Sequence, residues 1–219
     1  MEPEFWHQRW ASNQIGFHEG QVNAYLARHY AQLGLAPGET VFVPLCGKSV
    51  DLRWLADQGL HVLGVELSPI AVESFFAEQG LTPRTSKEGA FAEWESGPIR
   101  LLCGDFFALT SAHLAGVQAV YDRAALIALP PERRADYVAH LGRLLPDARR
   151  TLLVTLEYPQ VQMQGPPFSV AEREVHTLFI GASVERLGAQ DVLAENPRFR
   201  EKGLTRLMEC AYLIKQDKP

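Results

Sequence analysis

The sequence predicts an α/β fold built on a parallel sheet that helices cover on both faces. The first observation is that short β-branched runs alternate with segments whose apolar residues recur at helical spacing. The second is that Gly and Pro mark the junctions between them, as at Gly59 and Pro69. Strands and helices that alternate in this way form βαβ units, whose parallel sheets are buried on both faces.

Six segments are predicted to be strands, because each is short and rich in apolar or β-branched residues. They are residues 40–44, 61–66, 99–103, 119–122, 151–157 and 204–215. Four segments are predicted to be helices, and Ser68 is the expected N-cap of the second. They are residues 50–58, 69–80, 131–145 and 171–180. Sheets of this kind bind ligands beyond the carboxyl ends of their strands, so we expect functional residues directly after the first four strands.

The length and composition set limits on the organisation and the function. The chain has 219 residues and a net charge of −5, which suits a single domain and provides no basic stripe for binding nucleic acid. No apolar run reaches the roughly 18 residues that span a bilayer. Three widely spaced cysteines, and an N-terminus without a signal-peptide pattern, favour a cytoplasmic location.

The first 35 residues do not fit the alternation of strands and helices. They are predicted to be helical, and they carry the aromatic residues Trp6, Trp10 and Phe17. The segment either covers a ligand site or serves only packing, and the sequence pattern leaves both possibilities open. We therefore divide the domain into an N-terminal segment (1–35) and a core (36–219).

The stretch FVPLCGKS, residues 42–49, ends like a phosphate-binding loop. That motif requires a first glycine five residues before its second, and Phe42 occupies the position. The glycine-rich dinucleotide fingerprint is absent as well, since only Gly47 stands in this turn. The loop therefore suits a nucleoside without phosphates better than a nucleotide, with Gly47 allowing one close backbone approach.

Glu66 ends the second predicted strand, nineteen residues after Gly47. An acidic side chain at this point can accept hydrogen bonds from both hydroxyl groups of a ribose. The alternative is a solvated carboxylate at the end of a strand. The pairing of Glu66 with the loop that contains Gly47 favours the ribose interpretation.

Two further loops carry polar residues after predicted strands. Asp105 lies where an adenine amino group would be held, with Phe106 as an apolar surface, and the alternative is an aspartate that forms a turn or an N-cap. Arg123 can pair with a ligand carboxylate through a forked hydrogen bond, or with a neighbouring acidic residue. Loops directed at an adenosine that bears a carboxylate indicate S-adenosylmethionine (SAM).

Other chemistry is weakly indicated by the sequence. His7, His18 and His29 recur at equal spacing, but no cysteine or acidic residue completes a metal site, so we expect no metal. Cys46 lies in the predicted ligand loop, where a packed thiol is favoured over a reactive one.

Five motifs resemble the bacterial thiopurine S-methyltransferase family. They are FWHQRWASNQIGFH, VPLCGKSVDLRWLADQGLHVLGVELS, GDFF, YDRAALIALPP and GPPF. The similarity runs from Phe5 to about Leu213 and is weakest over residues 81–98. It implies the class I methyltransferase (Rossmann-like) fold, with a seven-stranded, mostly parallel sheet, helices on both faces and an N-terminal helical cap.

The resemblance also implies roles for individual residues. Trp10, Leu45, Glu66 and Arg123 match cofactor-binding positions, and Arg123 is the residue we expect to contribute to catalysis. Asp105 and Phe106 match positions beside the adenine. Phe17 matches a position near the substrate, and we place Trp6 with it.

The resemblance implies a SAM-dependent S-methyltransferase that acts on thiopurines and other aromatic or heterocyclic thiols and releases S-adenosylhomocysteine (SAH). We extend the hypothesis to selenium and tellurium acceptors, as in metalloid detoxification, and we expect a monomer that contacts neither nucleic acid nor membrane. Two alternatives stay open. One is a SAM-binding module without catalysis, and the other is a nucleotide-dependent kinase or NTPase.

Overall fold

A computed structural model describes residues 3–145 and 149–216. The chain divides into two compact units, the first ending at Tyr121 and the second beginning at Asp122. The division falls inside a strand, Val117–Arg123. The single domain with a cap in residues 1–35 and a core in residues 36–219 stays a prediction.

The first unit contains six strands in the order β3-β4-β5-β2-β1-β6. Strand β1 pairs in parallel with β2 and β6, and β2 pairs in parallel with β5. The parallel strands are short and almost wholly buried, as their apolar sequences predict. The six strands are β1 (Thr40–Val43), β2 (His61–Glu66), β3 (Arg84–Glu88), β4 (Phe91–Ser96), β5 (Ile99–Cys103) and β6 (Val117–Arg123).

The helices of the first unit begin at recognisable capping residues. Asn23 accepts hydrogen bonds from the N–H groups of Tyr25 and Leu26, and Ser49 accepts one from that of Asp51. A proline in the first turn starts α4, as predicted, although the Ser68 side chain makes no capping bond. The helices are α1 (Pro3–Ala11), α2 (Ala24–His29), α3 (Val50–Asp57) and α4 (Pro69–Glu78).

The hairpin formed by β3 and β4 was not predicted from the sequence. It accounts for part of the difference between the observed and the expected number of strands. The described residues form nine strands, against the seven that the family resemblance implied. Strand β3 (RTSKE) is polar, with residues 84–87 exposed, so it lacks the apolar run on which strand prediction depends. The hairpin adds two antiparallel strands beyond β5.

The second unit contains the end of β6 and an antiparallel group of three strands in the order β7-β9-β8. Strand β9 begins later than predicted, because Leu204 and Leu207 lie in a loop and pack in a small core with Phe199. Strand β8 was missed, since its residues are mostly half-buried or exposed and include few apolar side chains. The elements are α5 (Pro131–Leu144), β7 (Arg149–Glu157), α6 (Glu172–Leu178), β8 (Ser183–Asp191), α7 (Pro197–Glu201) and β9 (Met208–Gln216).

Within the described residues, no helix has both the length and the apolar character needed to cross a membrane.

Candidate active site at the ends of β1 and β2

The loop after β1 turns sharply through two residues with left-handed backbone conformation. Leu45 has a φ of +48° and Gly47 a φ of +54°. A leucine rarely adopts this conformation, and such strained positions concentrate at functional sites. Between them, the N–H of Cys46 donates to the carbonyl of Val65 in β2 at 3.0 Å, which fixes the loop to the neighbouring strand.

Glu66 joins the loops that follow β1 and β2. Its Oε2 accepts a hydrogen bond from the N–H of Gly47 at 2.9 Å, and its Oε1 accepts one from the N–H of Ser68 at 2.8 Å. Only 7% of the residue is exposed, and this burial raises the pKa of the carboxyl group, although the backbone donors act in the opposite direction. The spacing that paired Gly47 with Glu66 in the sequence therefore corresponds to a direct contact.

The residues that resemble a phosphate-binding loop have other partners. Lys48 forms an ion pair with Glu78 of α4, with Nζ and Oε1 2.6 Å apart. Ser49 is the N-cap of α3, and Phe42 is fully buried in β1. The predicted absence of a phosphate cradle agrees with these contacts.

Trp10 packs directly on Gly47. A Cβ atom at position 47 would lie 3.3 Å from Cζ2 of the indole, so glycine is what permits this close contact. Trp10 is therefore a protein neighbour of Gly47, and the close approach of a ligand at this glycine stays a prediction. Phe17 stands edge-on to Trp10 and to Trp6, with ring centroids 5.6 Å apart in each pair. The three predicted aromatic residues thus form one cluster against the loop after β1.

Cys46 is a packed thiol, as favoured from the sequence. A Cβ at Gly64 would come within 2.8 Å of Cys46 Sγ, so the thiol occupies the space that this glycine leaves. Burial is the main cause that raises the pKa of Cys46 well above its usual range, and the nearby carboxylate of Glu66 adds to it. A thiol held in this form is a poor nucleophile.

The loop after β5 approaches Glu66 through its backbone. The N–H of Gly104 donates to the Glu66 carbonyl at 2.9 Å. Asp105 is exposed and accepts a hydrogen bond from the N–H of Phe107, which makes it the N-cap of a short 3-10 helix. Phe106 is buried. The capping contact agrees with the alternative interpretation of Asp105 as an N-cap. A role of Asp105 in adenine binding stays a prediction.

Arg123 belongs to the second unit. It is half-buried and ends β6, and it is followed by Ala124 in a left-handed conformation with a φ of +68°. The preceding residue, Asp122, is buried and accepts hydrogen bonds from the Tyr137 hydroxyl and the Leu126 N–H. The backbone on both sides of Arg123 is therefore fixed within its own unit.

Sequence reasoning missed one polar cluster in the first unit. Asp51, in the first turn of α3, accepts hydrogen bonds from the Asn23 N–H and the Tyr121 hydroxyl. An aspartate at the start of a helix is common, so nothing in the local pattern shows that this one is 1% exposed and contacts distant segments.

The sequence also singled out three histidines, His7, His18 and His29. Throughout residues 3–145 and 149–216, no group of three or more His, Cys, Asp or Glu side chains is placed to hold a metal ion.

Comparison with known proteins gives a match along nearly the whole chain. Residues 1–217 match the family described as thiopurine S-methyltransferase. A thiopurine S-methyltransferase of Nitrosospira multiformis is 53% identical over 215 residues, covering 98% of each chain. One of Pseudomonas entomophila is 55% identical over 214 residues, covering 98% of this chain and 99% of the relative.

Solved structures with much lower sequence identity share the fold. The magnesium protoporphyrin IX methyltransferase of Synechocystis, solved with bound SAH, superposes with a TM-score of 0.64 at 16% identity. The superposition covers 96% of this chain and 98% of the other.

Proposed function

We propose that this chain, which belongs to the thiopurine S-methyltransferase family, transfers the methyl group of SAM to the sulfur of thiopurines and of other aromatic or heterocyclic thiols. We extend the proposal to reduced selenium and tellurium acceptors, and we propose that the protein acts as a monomer. The cytoplasmic location stays a prediction, which the three free cysteines support.

Several expectations from the sequence are confirmed. The family match and the curated relatives confirm the family, the methyltransferase class and the SAM cofactor. The structural neighbours confirm the class I methyltransferase fold, with the strand number as the difference. The roles of individual residues belong to the proposal.

The observation that carries the proposal is the buried Glu66 carboxylate at the end of β2. A carboxylate offers about four acceptor positions, and the N–H groups of Gly47 and Ser68 use one on each oxygen. A backbone hydrogen bond from Leu67 uses a third position, and the remaining one can accept a ribose hydroxyl. The adjoining loop has no lysine available for phosphates, because Lys48 is paired with Glu78. The site therefore fits a nucleoside without phosphates.

The aromatic cluster is proposed to cover the reacting groups. Trp10 is anchored on Gly47, and Phe17 and Trp6 extend from it edge to face. Aromatic faces attract a positive charge by about 0.5–2 kcal/mol, and more where water is excluded. When bound, SAM supplies a methyl group on a positively charged sulfur. We assign Trp10 and Leu45 to the cofactor, and Phe17 and Trp6 to the acceptor.

A strong general base is not required for this chemistry. Aromatic thiols lose their proton near neutral pH, so the acceptor arrives largely as the nucleophilic thiolate. The sulfur lone pair forms the new S–CH3 bond while the methyl–sulfonium bond breaks, and its electron pair stays on the sulfur of SAH. The work left to the protein is the alignment of two reactants and the exclusion of water.

The test is an assay of the purified chain with SAM and a panel of acceptors. We expect equal amounts of SAH and S-methylated product with a thiopurine and an aromatic thiol, and volatile methylated products with reduced selenium and tellurium species. Binding of SAM with no transfer to any acceptor would favour the non-catalytic module. Thermal stabilisation by ATP and magnesium, but not by SAM, would favour the nucleotide-dependent enzyme.

Arg123 is proposed to orient the cofactor carboxylate or an anionic acceptor. We expect Arg123→Ala to lower kcat/KM by about 10–100-fold, since a charge-assisted hydrogen bond contributes about 1.5–3 kcal/mol. The matched control is Arg186→Ala, which removes an exposed ion pair with Glu172 in the same unit and should leave turnover unchanged. Turnover of Arg123→Ala at the wild-type rate would remove Arg123 from the site.

A further inference from the structure

We propose that Asp51 is a positioning residue that holds the segment carrying Phe17 against the loop after β1. Its carboxylate accepts hydrogen bonds from the Asn23 backbone and from the Tyr121 hydroxyl. Asp51 acts on the segment through the backbone of Asn23. This inference deepens the proposed function, and it rests on that function only where acceptor kinetics are used.

Asp51 joins three segments that are far apart in the sequence. Its Oδ1 accepts a hydrogen bond from the backbone N–H of Asn23 at 2.9 Å, and its Oδ2 accepts one from the Tyr121 hydroxyl at 2.8 Å. All three residues are buried, with exposed fractions of 1% for Asp51, 4% for Asn23 and 1% for Tyr121. A buried carboxylate is tolerated only with such donors, and the amino end of α3 offers further stabilisation.

The Asn23 end of this contact is itself well defined. The Asn23 side chain caps α2 by accepting hydrogen bonds from the N–H groups of Tyr25 and Leu26. The backbone N–H of Asn23 takes no part in this capping. It is the group that donates to Asp51. Asp51 therefore fixes the point at which the N-terminal segment enters α2.

The segment 11–22 is consequently held at both ends by the same stretch of chain. At one end Trp10 packs on Gly47. At the other end Asn23 is bound to Asp51, four residues further along from Gly47. Phe17 lies between these two anchors and touches the rings of Trp6 and Trp10. Fixing both ends of a segment reduces the number of conformations it can adopt, so the second anchor restricts where Phe17 can lie.

A pair of substitutions at position 23 isolates the anchoring hydrogen bond. Asn23→Pro removes the N–H that donates to Asp51, and the native φ of −61° suits proline. Asn23→Ala keeps that N–H, and both variants lose the same capping side chain. The difference between the two variants therefore reports the contact with Asp51 rather than the loss of the cap.

The primary measurement is amide hydrogen exchange, well below the unfolding temperature. We expect exchange over residues 11–22 to be about tenfold faster in Asn23→Pro than in Asn23→Ala, because a hydrogen bond to a charged acceptor is lost. Exchange in β1 and β2 should be equal in the two variants. Equal exchange over residues 11–22 would overturn the proposal. This measurement needs no methyl acceptor, so it stands even if the proposed function fails.

The second measurement is acceptor kinetics. We expect Asn23→Pro to raise the KM for a thiopurine by about tenfold over Asn23→Ala, with kcat and SAM affinity changed much less. A purely structural role would lower the amount of active protein and leave KM unchanged, and that result would also overturn the proposal.

A second pair of variants covers the case in which Asn23→Pro does not fold. In Asp51→Asn the amide oxygen can accept from Asn23 while the amide N–H donates to the Tyr121 oxygen, so exchange and KM should match the wild type. Asp51→Leu keeps the volume but loses both contacts, and it should show the fast exchange and raised KM expected for Asn23→Pro. Identical behaviour of Asp51→Asn and Asp51→Leu would contradict the proposal.

Discussion

Glu66 ends β2 in the first unit, and Asp122 stands one residue before the end of β6 in the second. Both are buried acids, and burial raises the pKa of each. Their hydrogen-bond donors differ. Glu66 accepts from backbone N–H groups such as those of Gly47 and Ser68, whereas Asp122 accepts from the Tyr137 hydroxyl as well as from backbone N–H groups such as that of Leu126.

The type of donor determines how many acceptor oxygens the side chain at each position must present. A backbone N–H can only donate, but a hydroxyl can rotate to donate or accept. Glu66 must therefore present two acceptor oxygens, while Asp122 needs only one. Glu66 also joins its own loop to the loop after β1, whereas the donors to Asp122 come from Leu126 just after β6 and from Tyr137 of α5. Two acidic strand ends that look alike in the sequence thus have different structural roles.

The largest effect is expected from an acid-to-amide exchange at each position. In Glu66→Gln one backbone N–H faces the NH2 group of the amide, so two donors meet without an acceptor. We expect this to lower the free energy of unfolding by about 1–3 kcal/mol. A ribose acceptor is lost with it, so the Kd for SAM should rise about 10–100-fold by calorimetric titration. In Asp122→Asn the amide can donate to Tyr137, and we expect unfolding at neutral pH to be no easier than in the wild type.

This comparison can fail in two ways. Unchanged SAM affinity in Glu66→Gln would remove Glu66 from the cofactor site. Equal loss of stability in the two variants would show that donor type does not distinguish the two positions.

A smaller effect concerns the dependence of stability on pH. Burial raises the pKa of Asp122 from 3.8 to about 6, so the folded state holds its proton more tightly than the unfolded state. The resulting stabilisation is complete below about pH 4 and is lost as the pH rises through about 6. We expect Asp122→Asn, which cannot ionise, to gain about 2 kcal/mol over the wild type between pH 4 and pH 7.

Urea unfolding at several pH values measures this difference. Asp57→Asn is the control, because Asp57 is exposed in an ion pair with Arg53. A constant difference between the wild type and Asp122→Asn across this range would contradict the assignment of the raised pKa to Asp122.

The last prediction concerns Gly47, the donor to Glu66, where stability is expected to change and no loss of SAM affinity is predicted. Gly47→Ala places a methyl group 3.3 Å from the Trp10 ring at a φ of +54°, and we expect a loss of about 1–3 kcal/mol in stability together with altered Trp fluorescence. Gly97→Ala is the control, since its φ is +57° and nothing lies within 4 Å of the added atom. Equal effects would mean that backbone strain alone, and not the Trp10 contact, explains the requirement for glycine.

Sequence patterns located some elements and missed others for physical reasons. The predicted bounds of β2 and β5 match the observed ones, because both strands are mostly buried and rich in apolar residues. The hairpin of β3 and β4 was missed, since β3 is polar and is held by pairing with its neighbour. At the site, the spacing of Gly47 and Glu66 predicts one ligand site, but it indicates neither the hydrogen bond between them nor the contact of Trp10 with Gly47.

The amino-acid sequence is enough to predict the alternation of strands and helices, the loops that follow β1, β2 and β5, and the absence of a phosphate-binding glycine at position 42, which is Phe42. These follow from local preferences and short motifs, which act over a few residues. Contacts between side chains that are far apart in the sequence become visible in the folded chain alone. The contact of Trp10 with Gly47, and the bonds from Asn23 and Tyr121 to Asp51, depend on how distant segments pack, and no local pattern encodes the partner of a buried carboxylate.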